Sequence, residues 1–144
     1  MEKQSVFITG GAGYVGAILV PRLLQEGHRV TVLDLMIYGE TVLSEHPNLK
    51  SVKGDIRNQE ILKSLIPGND VVIHLACISN DPTFELNSKI SKAINYDCFE
   101  SLVSISKKNK VKKFIYASTS SVYGISDSPR VDEDHKLVPL TDYN

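Results

Sequence analysis

Two cysteines, Cys77 and Cys98, are all that this 144-residue chain contains. Their spacing fits no metal-ligand pattern and makes no disulfide framework. Both sit in apolar or helical surroundings, so buried thiols in a reducing compartment are expected. No metal site is indicated. Basic residues never run longer than Lys107-Lys108 or Lys112-Lys113, and the formal net charge is −1. That leaves nucleic acid without the electrostatic footprint it needs as a partner. No apolar stretch is long enough to cross a bilayer, and the polar start Met1-Glu2-Lys3-Gln4-Ser5 is no signal peptide. A cytoplasmic protein with no membrane partner is expected. Internal repeats and low-complexity segments are absent too. What remains is ordinary globular material, 42% hydrophobic and 23% charged, of a length that suits one domain.

The most informative stretch is Thr9-Gly10-Gly11-Ala12-Gly13-Tyr14-Val15-Gly16. It follows the apolar run Val6-Phe7-Ile8 and precedes a segment of helical periodicity, Ile18-Leu19-Val20 to Leu23-Leu24. Strand, glycine turn and helix together form the context of a dinucleotide site. The glycines allow a tight reversal, a close approach of backbone to pyrophosphate, and close packing of helix on strand. The helix start then offers free N–H groups and a positive dipole end to the phosphates. The next strand-like run, Arg29 to Leu33, ends at Asp34, which lies 24 residues after Gly10. A carboxylate there can accept hydrogen bonds from the adenine-ribose hydroxyls and would repel a 2′-phosphate. NAD is therefore favoured over NADP.

Strand and helix signals alternate along the chain. Strands are expected at Ser5–Thr9, Arg29–Leu33, Leu49–Lys53, Asp70–Leu75 and Lys113–Ala117. Helices are expected from about Gly13 to Glu26, from Asn58 to Ile66, and as one long element from about Asn87 to Asn109. Gly27 should stop the first helix, and Asn58 should cap the second. Pro21 sits inside the first helix, where it should weaken it. The connection Met36–Pro47 has room for a short helix near Thr41 to Glu45. After Gly124 periodicity is lost. This pattern predicts an α/β, doubly wound parallel sheet, a truncated Rossmann fold with strand order 3-2-1-4-5. Gly10 to Gly16, the chain from Asp34 onward, Gly54 to Arg57, His74 to Ala76 and Ser118 to Gly124 should meet in one cleft at the carboxyl ends of the strands.

These segments resemble the extended short-chain dehydrogenase/reductase family of NAD-dependent nucleotide-sugar epimerases and dehydratases. Thr9 to Gly16 fits the family's T-G-x-x-G-x-x-G. Gly54-Asp55-Ile56-Arg57 resembles its G-D-[IVL]-R, whose Asp meets the adenine. His74-Leu75-Ala76-Cys77 resembles H-L-A-A, which lines the cofactor path. Asn95 resembles the structural Asn of the fourth helix, with Cys98 and Phe99 where small residues are usual. Ser118 to Gly124 resembles the active-site stretch S-[ST]-x-x-V-Y-G. The resemblance implies cofactor contacts at Gly10, Gly13, Tyr14, Val15, Gly16, Asp34, Asp55, Ile56, Leu75, Ala76 and Asn95. It implies Thr119 as the catalytic hydroxyl and Tyr143 as the catalytic tyrosine. Tyr123 belongs to the V-Y-G stretch and is expected to be structural, and His74 is expected to pack beside the cofactor without moving protons.

Ser79, Asn80 and Asp81, which follow the fourth strand, and Ser120 are candidate substrate contacts. The related 4,6-dehydratases place Asp-Glu directly after the catalytic Thr. Here those positions are Ser120 and Ser121, which argues for epimerisation, or for simple oxidation or reduction, of a nucleotide sugar. The family also uses a lysine four residues after its tyrosine, which would be position 147. A tyrosine of ordinary pKa about 10 is a poor base at neutral pH, and a nearby ammonium favours its phenolate. The chain is accordingly expected to be the NAD-binding domain of a longer enzyme of roughly 300 residues, homodimeric when whole. Alone it should bind NAD without turnover. The alternative is a non-catalytic NAD-binding regulator or scaffold of the same fold.

Overall fold

The computed structural model describes residues 2–144; Met1 lies outside them. Five parallel strands form one sheet in the order β3-β2-β1-β4-β5. They are β1 (Ser5–Thr9), β2 (Arg29–Asp34), β3 (Leu49–Lys53), β4 (Val71–His74) and β5 (Lys113–Tyr116). The α/β Rossmann expectation and its strand order both hold. Central β1 and β4 are buried throughout, as strands covered on both faces must be.

Alternation of side chains sorts the core into two layers. Val6, Ile8, Val30, Val32, Val71 and Ile73 face one way, towards Val20 and Leu24 of α1 (Gly16–Gln25). Phe7, Leu33 and Val72 face the other way. There they meet Leu62 and Leu65 of α2 (Gln59–Leu65) and Leu102 and Ile105 of α5 (Phe99–Lys108).

The helix ends follow their sequence signals. Asn58 Oδ1 accepts the N–H groups of Glu60 (3.0 Å) and Ile61 (3.3 Å), capping α2. Gly27, at φ +85°, closes α1 with a paired turn. Its own N–H donates to Leu24 O and that of His28 to Leu23 O, each at 3.0 Å. Pro21 does not break α1. Burial of Gly16, Val20 and Leu24 against the sheet holds the helix together, while Pro21 lies on the exposed side.

Three expectations fail. The segment 41–45 is turn and bend, with no helix. A helix absent from the sequence reading, α3 (Asp81–Leu86), follows β4, with Asn80 accepting from Thr83 N at 3.0 Å as its cap. The long helix 87–109 is broken into α4 (Ser88–Lys92), a π-turn (Ala93–Asp97) and α5. The π-turn turns Asn95 inward. Its Oδ1 accepts from Ile78 N (2.8 Å), and its Nδ2 donates to Ile78 O (3.0 Å). A periodicity reading cannot register one extra residue in a turn. Cys77 also departs from expectation: it is exposed, because the chain has left β4 at that point, whereas Cys98 is buried in the core.

Candidate active site

The glycine loop forms because β1 runs into a reversal that only glycine tolerates. Gly10 has φ +74°, and a Cβ there would lie 2.5 Å from Ala76 N. Gly16 has no room for a Cβ beside the Gly11 carbonyl, so α1 starts directly against the loop. The start of α1 has no side-chain cap and no acidic residue in its first turn. Its amides and dipole are left for an anion.

Asp34, at the end of β2, ties this loop to the next one. Its Oδ2 accepts from Ala12 N (3.0 Å) and its Oδ1 from Met36 N (2.8 Å). Met36 takes a left-handed turn, φ 57°, with its side chain buried in the core. Asp55 is gripped by Arg57 through the backbone N–H (2.8 Å), Nε (3.0 Å) and Nη2 (2.5 Å). That hydrogen-bonded guanidinium holds the Asp55 carboxyl below the usual carboxylate range.

The strand ends converge on a cleft of about 500 Å³. From the first segment Gly10, Gly13, Tyr14 and Val15 line it, followed by Asp34, Asp55 and Ile56. Leu75, Ala76 and Ser79 line it beyond β4, and Thr119 and Tyr143 line its far end. Five expected residues lie outside the lining. Gly16 packs against Gly11, Asn95 holds Ile78, Asn80 caps α3, Asp81 begins it, and Ser120 opens the 3₁₀ turn Ser120–Tyr123. Leu35, Ile37 and Tyr38, in the segment expected at the cleft from Asp34 onward, line it without having been singled out, and so do Ile94 and Tyr116, for which no site role was expected. Ile37 and Tyr38 had a signal: two large apolar residues in a loop directly after Asp34, 72% and 75% exposed.

Behind the cleft wall, His74 is buried and its Nδ1 is 2.6 Å from Thr9 Oγ1. Its ring stacks on Tyr116, centroids 5.5 Å apart. Burial pushes its pKa down to about 4, so it is neutral at physiological pH. Burial also raises the Tyr116 phenol. Thr119 is extended, and its Oγ1 accepts from Ser121 N at 3.1 Å. That bond uses an oxygen lone pair and leaves the hydroxyl proton free to donate. Tyr123 lies away from the cleft, edge-on to His135 at 6.0 Å. Among the described residues, no group of three or more His, Cys, Asp or Glu could hold a metal ion, and no helix is long and apolar enough to cross a membrane.

The NAD dependent epimerase/dehydratase family model matches residues 6–144. The chain belongs to that family. A UDP-N-acetyl-alpha-D-glucosaminuronate decarboxylase of Bacillus cytotoxicus is 33% identical over 141 residues, covering 96% of this chain and 44% of its own length. A 3 beta-hydroxysteroid dehydrogenase/Delta 5-->4-isomerase of Mycobacterium tuberculosis is 32% identical, covering 98% of this chain and 38% of its own. Among solved structures, a UDP-N-acetylglucosamine 4-epimerase from Methanobrevibacter ruminantium M1, in complex with UDP-N-acetylmuramic acid, superposes with TM-score 0.90 and 29% identity. It covers 99% of this chain and 46% of its own. WbmH of Bordetella bronchiseptica, in complex with NAD+, gives TM-score 0.83 and 32% identity over 96% of this chain and 47% of its own. The chain thus spans under half the length of these relatives. The glycine cradle, the uncapped helix start and the anchored Asp34 fit the NAD that the family name implies.

Proposed function

We propose that residues 1–144 form the NAD-binding portion of a nucleotide-sugar epimerase. One observation carries the reading: Thr119 and Tyr143 line the same cleft as the glycine loop and Asp34. In this reading Gly10, Gly13 and the start of α1 hold the pyrophosphate, with Tyr14 and Val15 beside it. Asp34 holds the adenine ribose, and Asp55 and Ile56 flank the adenine. Leu75 and Ala76 line the way to the nicotinamide. Gly16 and Asn95 support this bed from behind. Bound NAD supplies a reversible hydride acceptor.

The chain's own residues handle the proton. As the phenolate, which a neighbouring positive charge favours, Tyr143 takes it from a sugar hydroxyl and becomes the neutral phenol, while the free Thr119 hydroxyl donates to the same sugar oxygen and holds it in place. Ser120 and Ser121 offer no carboxylate beside Thr119, so elimination across the sugar ring is not supported and epimerisation is preferred. Ser79 borders the sugar end of the cleft. The whole enzyme acts as a homodimer.

The test is product analysis by NMR, with full-length protein, NAD and a panel of UDP- and dTDP-sugars. An epimer is the expected product. A 4-keto-6-deoxy sugar would make the protein a dehydratase instead. Oxidation of a 3β-hydroxysteroid with no reaction on any nucleotide sugar would overturn the substrate class. NAD binding without turnover of either would favour a regulator.

A further inference from the structure

The segment carrying Tyr143 is fastened to α3 at two points. Thr141 Oγ1 donates to Asp81 Oδ1 at the start of α3. The Tyr143 ring meets Phe84 of α3 edge-on, centroids 6.2 Å apart and planes at 61°. α3 is itself braced. Phe84 is 4% exposed, and its carbonyl accepts from Ser91 Oγ of α4 at 2.9 Å, with Ser91 1% exposed. Neither Asp81 nor Phe84 lines the cleft. Asp81 meets Thr141, and Phe84 meets Tyr143, which does line it.

We propose that α3 is the positioning element for Tyr143, with Asp81 a positioning residue that acts through Thr141. The inference rests on the proposed proton-accepting role of Tyr143. Proton transfer needs the phenol oxygen within hydrogen-bond reach of the substrate hydroxyl, and the rate falls steeply when it drifts. An exposed side-chain hydrogen bond adds little to folding. Loss of the Asp81–Thr141 bond should therefore show in turnover and barely in stability.

The test uses full-length Asp81→Ala, Thr141→Val, their double variant and Thr141→Ser. Each of the first two should lower kcat about 10-fold, since small misplacements of a reacting group carry costs of that order. KM, NAD affinity and melting temperature should stay near wild type. The double variant should fall no further than the worse single one, because one bond is lost in all three. Thr141→Ser should retain turnover. Parallel losses of NAD affinity and melting temperature, or losses that multiply in the double variant, would overturn the proposal. A second readout needs no substrate: the ring signal of ¹³C-labelled Tyr143, assigned with Tyr143→Phe. It should shift in both single variants, and an unshifted signal refutes the placement. If wild type turns over no nucleotide sugar, the functional reading falls, and this signal still decides whether α3 places Tyr143.

Discussion

At the glycine-loop end of the cleft, Asp34 takes two backbone N–H groups, Gly10 fits under Ala76, and the flanking strands are buried on both faces. At the Thr119–Tyr143 end, the chain beyond β5 is mostly exposed and is held by contacts such as Thr141 to Asp81 and Val138 N to Val122 O (2.8 Å). One end is fixed by buried strands, close backbone packing and the Asp34 carboxylate. The other is held by contacts in a mostly exposed stretch of chain. On the proposed function, a rigid bed for the cofactor and a separately tethered segment carrying Thr119 and Tyr143 suit their tasks, since binding needs a preformed surface and proton transfer needs a few groups placed accurately.

The sharpest way to separate the two ends is to remove chemistry from one without touching the other. In the full-length protein, Tyr143→Phe should cut kcat by about 10³-fold, within the range for a lost acid–base group. NAD affinity, measured by calorimetric titration, should stay within about twofold of wild type, because the ring remains and only the phenol oxygen goes. A comparable loss of NAD affinity would show that the two ends are not independent.

Gly10→Ala should do the reverse. Its Cβ would press on the Ala76 backbone at 2.5 Å in a left-handed conformation. Backbone on backbone cannot relax as a flexible side chain can, so about 3 kcal/mol of stability should be lost. Chemical denaturation measures this, and NAD binding should weaken with it.

The bed should also respond to acid. Burial lowers the His74 pKa to about 4 from the ordinary imidazole value of 6.5. Between these two values the unfolded chain binds the proton and the folded chain does not, so stability rises with pH across that window. It is fully present above about pH 6.5 and is lost progressively towards pH 4, by roughly 3 kcal/mol from this residue. Denaturation curves at pH 7 and pH 5 check it. His74→Asn should flatten the pH dependence, and a slope unchanged by that substitution would sink the assignment.

The same contrast explains what could be read before the fold was known. β1, β2, β4 and the glycine turn were legible because buried parallel strands are continuous apolar runs and the turn needs glycine whatever surrounds it. Asn58 and Gly27 were legible because caps are local. α3 was not. Asn80 and Pro82 are local start signals, but its six residues carry no periodic stripe, and the burial of Phe84 against Ser91 is a tertiary arrangement. The π-turn hid inside a plausible helix for a similar reason, since Asn95 is turned inward by Ile78 and not by its sequence neighbours. The lining by Tyr116 depends on His74 and Phe99 behind its ring, again a contact made only in the fold.

Asp34→Asn probes the bed most gently. An amide keeps the shape of the carboxylate but has one accepting oxygen, where Asp34 uses one for Ala12 N and the other for Met36 N. One of these N–H groups must then face an NH₂, and the left-handed turn at Met36 loses part of what holds it. About 1 to 2 kcal/mol of stability should go, as for one partly buried donor left without a partner. On the proposed role of Asp34 at the adenine ribose, NAD affinity should fall about 10-fold, since its negative charge is also gone. The substitution removes the repulsion of a 2′-phosphate, yet NADP should not reach the original affinity for NAD, because the loop that would receive it is no longer pinned. Titration of the variant with both dinucleotides decides this. A full switch to NADP would show that Asp34 acts on the ribose alone, and that the two amide bonds contribute nothing to the rigidity of the bed.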